Sequence, residues 1–293
     1  MKTKSLALSL GVAMLLCVSS AFAQYTYQTI NYPDDTFTQL LGINNNNFIA
    51  GYHGTTNKGF TYDYATATFT NENFPNSQQT QVIGINNDPF KTVGFYIEHG
   101  KTIGFTDYQG TFTSVAYPKK PFNQLLGQND YGQAAGYYSS NASGSDPDVP
   151  YVYDEDGGVF EVYTIPGATG GAQATGINNA GNVCGFFIDS SNVSHGWLQI
   201  QGHFTVLNYP GSTGTSASGL NNKGSVVGFW TDSSGGTHGF VYNVTAATFT
   251  NVDDPSGVGN TLVNGINDNG VLVGFYGPAA CTTGTCNGFV ATP

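Results

Sequence analysis

Gly219-Leu220-Asn221-Asn222-Lys223-Gly224-Ser225-Val226-Val227-Gly228-Phe229 decides the fold of this 293-residue chain, because it recurs. Its anchor, Gly-Ile-Asn-Asn, stands at Gly42-Ile43-Asn44-Asn45, Gly84-Ile85-Asn86-Asn87 and Gly176-Ile177-Asn178-Asn179. Variants stand at Gly127-Gln128-Asn129-Asp130 and Gly265-Ile266-Asn267-Asp268. Counted with Gly219, these are six copies spaced 42 to 49 residues apart, the period of a four-stranded propeller blade.

Each repeat carries further landmarks. After the anchor comes an apolar-Gly-aromatic segment, such as Val93-Gly94-Phe95, Val227-Gly228-Phe229 or Val273-Gly274-Phe275. A Gly-aromatic segment follows, as at Lys58-Gly59-Phe60, His195-Gly196-Trp197, His238-Gly239-Phe240 and Asn287-Gly288-Phe289. Last comes Thr-Phe-Thr, with a Pro a few residues on: Thr68-Phe69-Thr70 before Pro75, Thr111-Phe112-Thr113 before Pro118, Thr248-Phe249-Thr250 before Pro255. Short β-branched and aromatic runs bounded by Gly, Asn, Asp, Ser or Pro predict strands. The four strands of a repeat, starting at the anchor, are termed a, b, c and d.

The two ends of the chain complement each other. Tyr25-Thr26-Tyr27-Gln28-Thr29-Ile30-Asn31-Tyr32-Pro33 has the pattern of a strand d without a repeat of its own, while the last repeat stops after strand c. Pairing them closes a ring and removes two sheet edges. The expectation is an all-β, six-bladed propeller over residues 24–293, with the N-terminal strand completing the last blade. A β-sandwich is the other all-β arrangement considered.

The landmarks have local causes. An anchor Asn can accept hydrogen bonds from the backbone that follows it and so shape the a–b turn. Gly181, Gly224 and Gly270 are expected to supply a positive φ there. The Gly before the strand-b aromatic is expected to admit a neighbouring blade, and the aromatics of strands b, c and d to fill the space between blades.

Taken together, these landmarks resemble the HAF family of bacterial extracellular repeats, over essentially the whole chain after residue 23. The resemblance implies an exported repeat protein and carries no functional residue. The chain departs from the pattern at Gln128, where the anchor Ile is missing, and at Pro150-Tyr151-Val152, which replaces a Gly-aromatic pair.

Composition fits this reading. Only 9% of residues are charged, against about 25% in typical soluble domains. The 40 glycines and the scarcity of helix-forming runs argue against a helical protein. The net charge is −11 and every basic residue is Lys, so the Arg fork that suits phosphates and bases is missing and nucleic acid is not an expected partner. Lys2 and Lys4, the apolar stretch Leu6 to Val18 and Ala21-Phe22-Ala23 predict a signal peptide over residues 1–23, hence an extracellular or periplasmic protein. No membrane span and a monomer are expected. In an oxidising compartment Cys281 and Cys286 can form a disulfide, and Cys184 in its apolar strand should be buried.

Motifs of established chemistry are missing: there is no Gly-x-Ser-x-Gly, P-loop or His-Glu-x-x-His. His195 and His238 start strands c where Lys58 and Asn287 also stand, so they are expected to be loop-end polar residues; His53 and His99 are assigned to b–c loops. Asn267-Asp268-Asn269-Gly270 lacks the spaced carboxylates of a calcium loop. No metal or cofactor is expected. The b–c segment Ser139 to Val149, with Asp146 and Asp148, breaks the repeat length and is a candidate functional loop.

The strongest binding pattern is a double ring at the face shared by the d–a and b–c loops. Gln39, Gln81, Gln124 and Gln173, with Ser216, stand early in strand a, which lines the channel. Tyr96, Tyr138, Phe187, Trp230 and Tyr276, with His53, end strand b toward the same face. Amides beside aromatic faces suit a sugar. The expected function is non-catalytic binding of a glycan or surface protein, with Gln39, Gln81, Gln124, Gln173, Tyr96, Tyr138, Trp230 and Tyr276 as contacts. The alternative is a polysaccharide lyase or glycosidase, which requires two carboxyls, or a His and a Tyr, at the channel mouth.

Overall fold

The computed structural model describes residues 25–87, 91–281 and 284–293; the expected signal peptide lies outside them, apart from which nearly the whole repeat region is covered. The described residues form 24 strands and one short 3-10 turn, Pro278–Cys281. Strands a to d of the first repeat are Thr38–Ile43, Phe48–His53, Lys58–Asp63 and Thr68–Asn71. Each repeat is the same antiparallel meander, with strand a innermost and strand d outermost. Strand a of each repeat packs on strand a of the next, and the sixth packs on the first. The fold is therefore an all-β propeller.

The blade count differs from the expected six separate sheets. Four blades stand as independent four-stranded sheets, and the eight strands of the second and third repeats form one continuous sheet. The cause is local. At the channel mouth the start of strand c approaches the start of the next strand a, and here Phe122 and Thr102 are close enough to form a parallel pair. At two other junctions the same approach gives only isolated bridges, Phe37 with Cys286 and Thr237 with Asn260.

The seam closes as the chain ends imply. Thr26–Ile30 runs antiparallel to Asn287–Thr292, from Thr26↔Thr292 to Ile30↔Gly288. This strand thereby becomes strand d of the last blade.

The anchor asparagines do more than shape turns. Asn221 Oδ1 accepts from the backbone N–H groups of Lys223 and Ser225, as expected of a turn asparagine, while its Nδ2 donates to the Asn267 carbonyl of the next repeat at 3.0 Å. The same step joins Asn44 to Asn86, Asn129 to Asn178 and Asn178 to Asn221, and Asn267 carries the inner circle across the seam to Asn44. A second, outer circle runs one residue later. The backbone N–H of Asn45 donates to the Asn87 side chain, Asn87 to Asp130, Asp130 to Asn179, Asn179 to Asn222, Asn222 to Asp268, and Asp268 to Asn45. The two Asp positions follow from donor arithmetic. Asp130 Oδ2 accepts from the Nδ2 groups of Asn87 and Asn179, and Asp268 Oδ2 from those of Asn45 and Asn222. An Asn there would oppose donor to donor.

Glycine placement corrects one expectation. A Cβ on Gly185, before the strand-b aromatic, would lie 1.9 Å from the Gln173 carbonyl of its own blade and 2.9 Å from the Trp197 ring. This Gly is covered by the strand-c aromatic opposite it, Gly185↔Trp197, and does not admit a neighbouring blade. The same cross-strand cover recurs as Gly51↔Phe60, Gly94↔Phe105, Gly136↔Tyr151, Gly228↔Phe240 and Gly274↔Phe289, all with fully buried rings. Tyr151 fills this role despite the altered motif around it. Close approach between repeats falls instead to the anchor Gly and to the Gly of strand c: a Cβ on Gly84 would lie 3.0 Å from Gly127 Cα, and one on Gly239 2.5 Å from the Val263 side chain of the next repeat. The turn glycines behave as expected, with φ near +73° at Gly181, +81° at Gly224 and +79° at Gly270.

Cys281 and Cys286 are disulfide-bonded, with Cα atoms 5.1 Å apart. Cys184 is fully buried, and burial pushes its thiol up to about 12, so it acts as core.

Candidate channel-mouth binding site

Strand a alternates, so every second side chain faces the axis. Three tiers result. Gln39, Gln81, Gln124 and Gln173 stand at the top; Leu41, Ile83, Leu126, Thr175, Ser218 and Asn264 form the middle; Ile43, Ile85, Gln128, Ile177, Leu220 and Ile266 form the waist. They enclose a cavity of about 460 Å³, within the range of small-molecule sites. Below the waist a cavity of about 70 Å³ is bounded by the anchor asparagines with Asp130 and Asp268.

The structure brings the four glutamines together as expected. The Tyr52 hydroxyl donates to Gln39 Oε1 at 2.5 Å and the Tyr137 hydroxyl to Gln124 Oε1 at 2.8 Å, leaving each Nε2 for a ligand. Gln173 Nε2 donates to Asp148 Oδ2 at 2.7 Å. Ser216 is turned to Ser194 at 2.8 Å and is buried.

The aromatics divide differently. Tyr96, Tyr138, Trp230 and Tyr276 are not among the cavity-lining residues; for Tyr96, Trp230 and Tyr276 the residue before, Phe95, Phe229 or Phe275, lines the cavity instead. The outward set stacks on the ring that precedes or approaches Pro at the end of the previous strand d. Phe74 lies 3.7 Å from Tyr96, Tyr117 4.1 Å from Tyr138, Tyr209 4.2 Å from Trp230, and Tyr32 3.4 Å from His53. Phe187 stacks on His195, and the Tyr276 hydroxyl meets Thr29 Oγ1 at 3.1 Å. The four stacked pairs cement blade to blade, while Phe187 and Tyr276 are held within their own blades. Adjacent residues of a strand face opposite ways, and with two aromatics in succession the sequence could not say which one faces the axis.

The flagged b–c loop contributes one residue. Asp148 Oδ2 holds Gln173, while its Oδ1 is buried without a partner. Burial pushes this carboxyl up to about 6, against the lowering effect of the Gln173 bond. The Asp146 side chain is exposed and only its carbonyl is used, by Ser139. Three of the histidines are structural clamps. His238 stands between Asp253 at 2.9 Å and Asp232 at 3.3 Å; burial alone would lower its pKa, but the bonds and charges of the two carboxylates raise it. His195 bridges Asn208 and Asp189. His53 ends strand b, not a loop, and bonds Asp35 at 3.0 Å. Among the described residues no three His, Cys, Asp or Glu side chains converge on a metal position. The cavity lining consists of amides, hydroxyls, aliphatics and aromatics, without the two carboxyls or the His and Tyr that glycosidic cleavage there would require.

Several groups favour mildly acidic conditions. Burial, against the Thr92 bond and reinforced by the Asp107 charge, pushes Glu72 from 4.5 up to about 7. A carboxyl raised in this way binds its proton more readily folded than unfolded, so stability falls as pH rises through 4.5 to 7. Asp148 acts likewise between 3.8 and about 6. The His238 clamp stabilises fully below the ordinary 6.5 and is lost as pH rises through its higher folded value. The opposite limit comes from Asp232, lowered by the Gly236 N–H and then by His238, and from Asp189, whose contributions vanish as pH falls below the ordinary 3.8. The melting temperature is therefore expected to peak near about pH 4 and to decline toward pH 8, and Glu72→Gln should flatten that decline. A scan by differential calorimetry that instead rose toward pH 8 would contradict these assignments.

The fold and its axial cavity define the class: an all-β propeller with a small-molecule-sized cavity. No family model matches the chain and no curated protein matches it in sequence. Solved structures do match in fold. A TolB structure from Acinetobacter baumannii aligns with a TM-score of 0.54 at 14% identity, over 71% of this chain and 52% of that one, so the chain spans about half of its length. A mutant of the Aleuria aurantia lectin in complex with Fucα1-6GlcNAc aligns with a TM-score of 0.54 at 9% identity, over 88% and 97%. A luciferin-regenerating enzyme gives 0.53 at 11% identity, over 92% and 96%. At such identities the likeness is one of fold. No helix among the described residues is long and apolar enough to cross a membrane.

Proposed function

We propose that this protein is an exported, HAF-type repeat propeller of six blade units that binds a glycan through its channel mouth, without cleaving it. The carrying observation is the axial cavity of about 460 Å³ crowned by Gln39, Gln81, Gln124 and Gln173. Amides donate and accept toward hydroxyls, while Phe95, Phe229 and Phe275 offer apolar faces to sugar C–H groups. The six-unit reading rests on the anchor circles, in which each half of the eight-stranded sheet contributes one position. The lectin among the fold relatives is compatible with sugar binding, and the lining lacks the paired groups needed for cleavage. A surface protein bound at the same face is the second candidate; the enclosed shape of the cavity favours the sugar.

A glycan array tests this directly, and a blank array at high protein concentration would overturn the glycan reading. Where a ligand is found, the double variant Gln81→Ala and Gln124→Ala is expected to weaken binding by about tenfold or more, at roughly one hydrogen bond each. Trp230→Ala is expected to lower stability and leave the affinity of the folded protein unchanged, because its indole packs on Tyr209 and bonds Asn251, away from the cavity. Loss of affinity on Trp230→Ala alone would move the site to the outer stacks.

A further inference from the structure

We infer that the cavity holds one terminal sugar of a neutral glycan endwise, with its hydroxyls donating to an acceptor arc deep in the channel. The inference rests on the glycan reading above and adds where the sugar goes and what kind it is. The middle tier is two-sided. Thr175, Ser218 and Asn264 come from three consecutive repeats, and Leu41, Ile83 and Leu126 from the other three. The hydroxyl protons on the polar side are committed: Thr175 Oγ1 donates to the Ala217 carbonyl at 3.0 Å and Ser218 Oγ to the Val263 carbonyl at 2.9 Å. Any bond that either oxygen makes to a ligand is therefore made as an acceptor. Asn264 Oδ1 is buried and has no partner.

Below them, Gln128 is the one polar side chain in a waist otherwise made of Ile and Leu. It is 8% exposed. Its Nε2 is drawn to Glu155 Oε1 at 3.4 Å, and Glu155 is held in turn by Lys91 at 2.6 Å. The opposite amide orientation would set oxygen against carboxylate, so Oε1 is the atom left over, buried and unpartnered. A repeat that departs from its own consensus thus places a side chain with an unmet acceptor among the residues of the cavity lining. Unsatisfied buried polar atoms are few in native proteins, and a bound donor is one explanation for them.

Asn264 and Gln128 come from the sixth and third repeats, so the acceptors are spread around the lining. A saccharide meets this arrangement with its hydroxyl donors on the arc and its C–H face on Leu41, Ile83 and Leu126. At the top, the Nε2 groups of Gln39 and Gln124 then donate to ring or glycosidic oxygens. No Lys or His lines the cavity to neutralise an acidic sugar, and no carboxylate lines it to hold an ammonium. The ligand is therefore neutral.

Titration calorimetry with cellobiose, chitobiose, lactose and maltose, and with digalacturonate as the acidic probe, tests the inference. At least one neutral disaccharide is expected to bind and digalacturonate not to. Gln128→Ile restores the residue found at most waist positions, and Asn264→Leu the one at Leu41 and Leu126, so both are expected to keep the melting temperature. Each should weaken binding by about three- to tenfold, the value of a neutral hydrogen bond. Unchanged affinity in both, with loss in Gln124→Ala, would overturn the deep arc and leave a glycan at the rim. Binding of digalacturonate alone would overturn neutrality. No binding of any probe, with a blank glycan array, would overturn the glycan reading as well.

Discussion

Asn221→Ala is expected to lower stability by about 3–5 kcal/mol, a fall in melting temperature of about 10 °C or more. The side chain is 6% exposed and makes three hydrogen bonds, two from its own turn and one to the Asn267 carbonyl of the next repeat. Ala leaves two N–H groups and a carbonyl without these partners, and buried unsatisfied groups cost about 1–3 kcal/mol each. Asn221→Asp separates the two roles. It keeps an acceptor for Lys223 and Ser225 but sets an oxygen against the Asn267 carbonyl, so it should lie between Ala and wild type. Equality of Asp with wild type in chemical denaturation would mean that the inter-repeat bond contributes nothing. The exposed neighbour Lys223→Ala should stay within about 0.5 kcal/mol.

Trp197→Ala is expected to cost about 3–5 kcal/mol, the range for emptying a large aromatic site in a core. Its ring is fully buried, covers Gly185, and shares a core cluster with Ala172, Ala174 and Ile177, of which the two alanines are too small to fill the gap. Trp197→Phe is the informative partner. Phe60, Phe105, Phe240 and Phe289 hold the equivalent position elsewhere, and the buried Trp197 Nε1 has no acceptor. Removing that orphan donor offsets part of the lost volume, so Phe is expected to cost under about 1.5 kcal/mol. A loss as large as that of Ala would show that the size of the indole, and not aromatic cover of the glycine, is what this blade requires.

Much of the architecture was legible because each strand carries a short, recurring chemical label. The a–b turn followed from Asn178 and Gly181, the disulfide from the spacing of Cys281 and Cys286, and the seam from a spare strand at Thr26–Ile30. The inner tier of glutamines was legible too, since strand alternation counted from the anchor Gly fixes which side faces the axis. What stayed hidden depends on contacts between repeats. Nothing in Asn221 itself says that its amide reaches Asn267, 46 residues away. Trp230 and Tyr96 misled because two successive aromatics satisfy an alternating pattern in either phase. Fusion of the second and third repeats into one sheet turns on a single pair, Phe122↔Thr102, which no local pattern encodes. Gln128 was visible as a departure from the repeat, but its meaning needed Glu155 beside it.

The seam has a mechanical consequence. Thr26 is paired with Thr292, so the two ends of the ring lie side by side and the strands they belong to run in opposite directions. Tension applied between those ends loads the pairs one after another, from Thr26↔Thr292 inward to Ile30↔Gly288, as a zipper is loaded and not as a lap joint is sheared. The propeller should therefore yield at low force when tethered through its termini. It should resist far more strongly when gripped at two points within one blade, where several strand pairs would have to shear together.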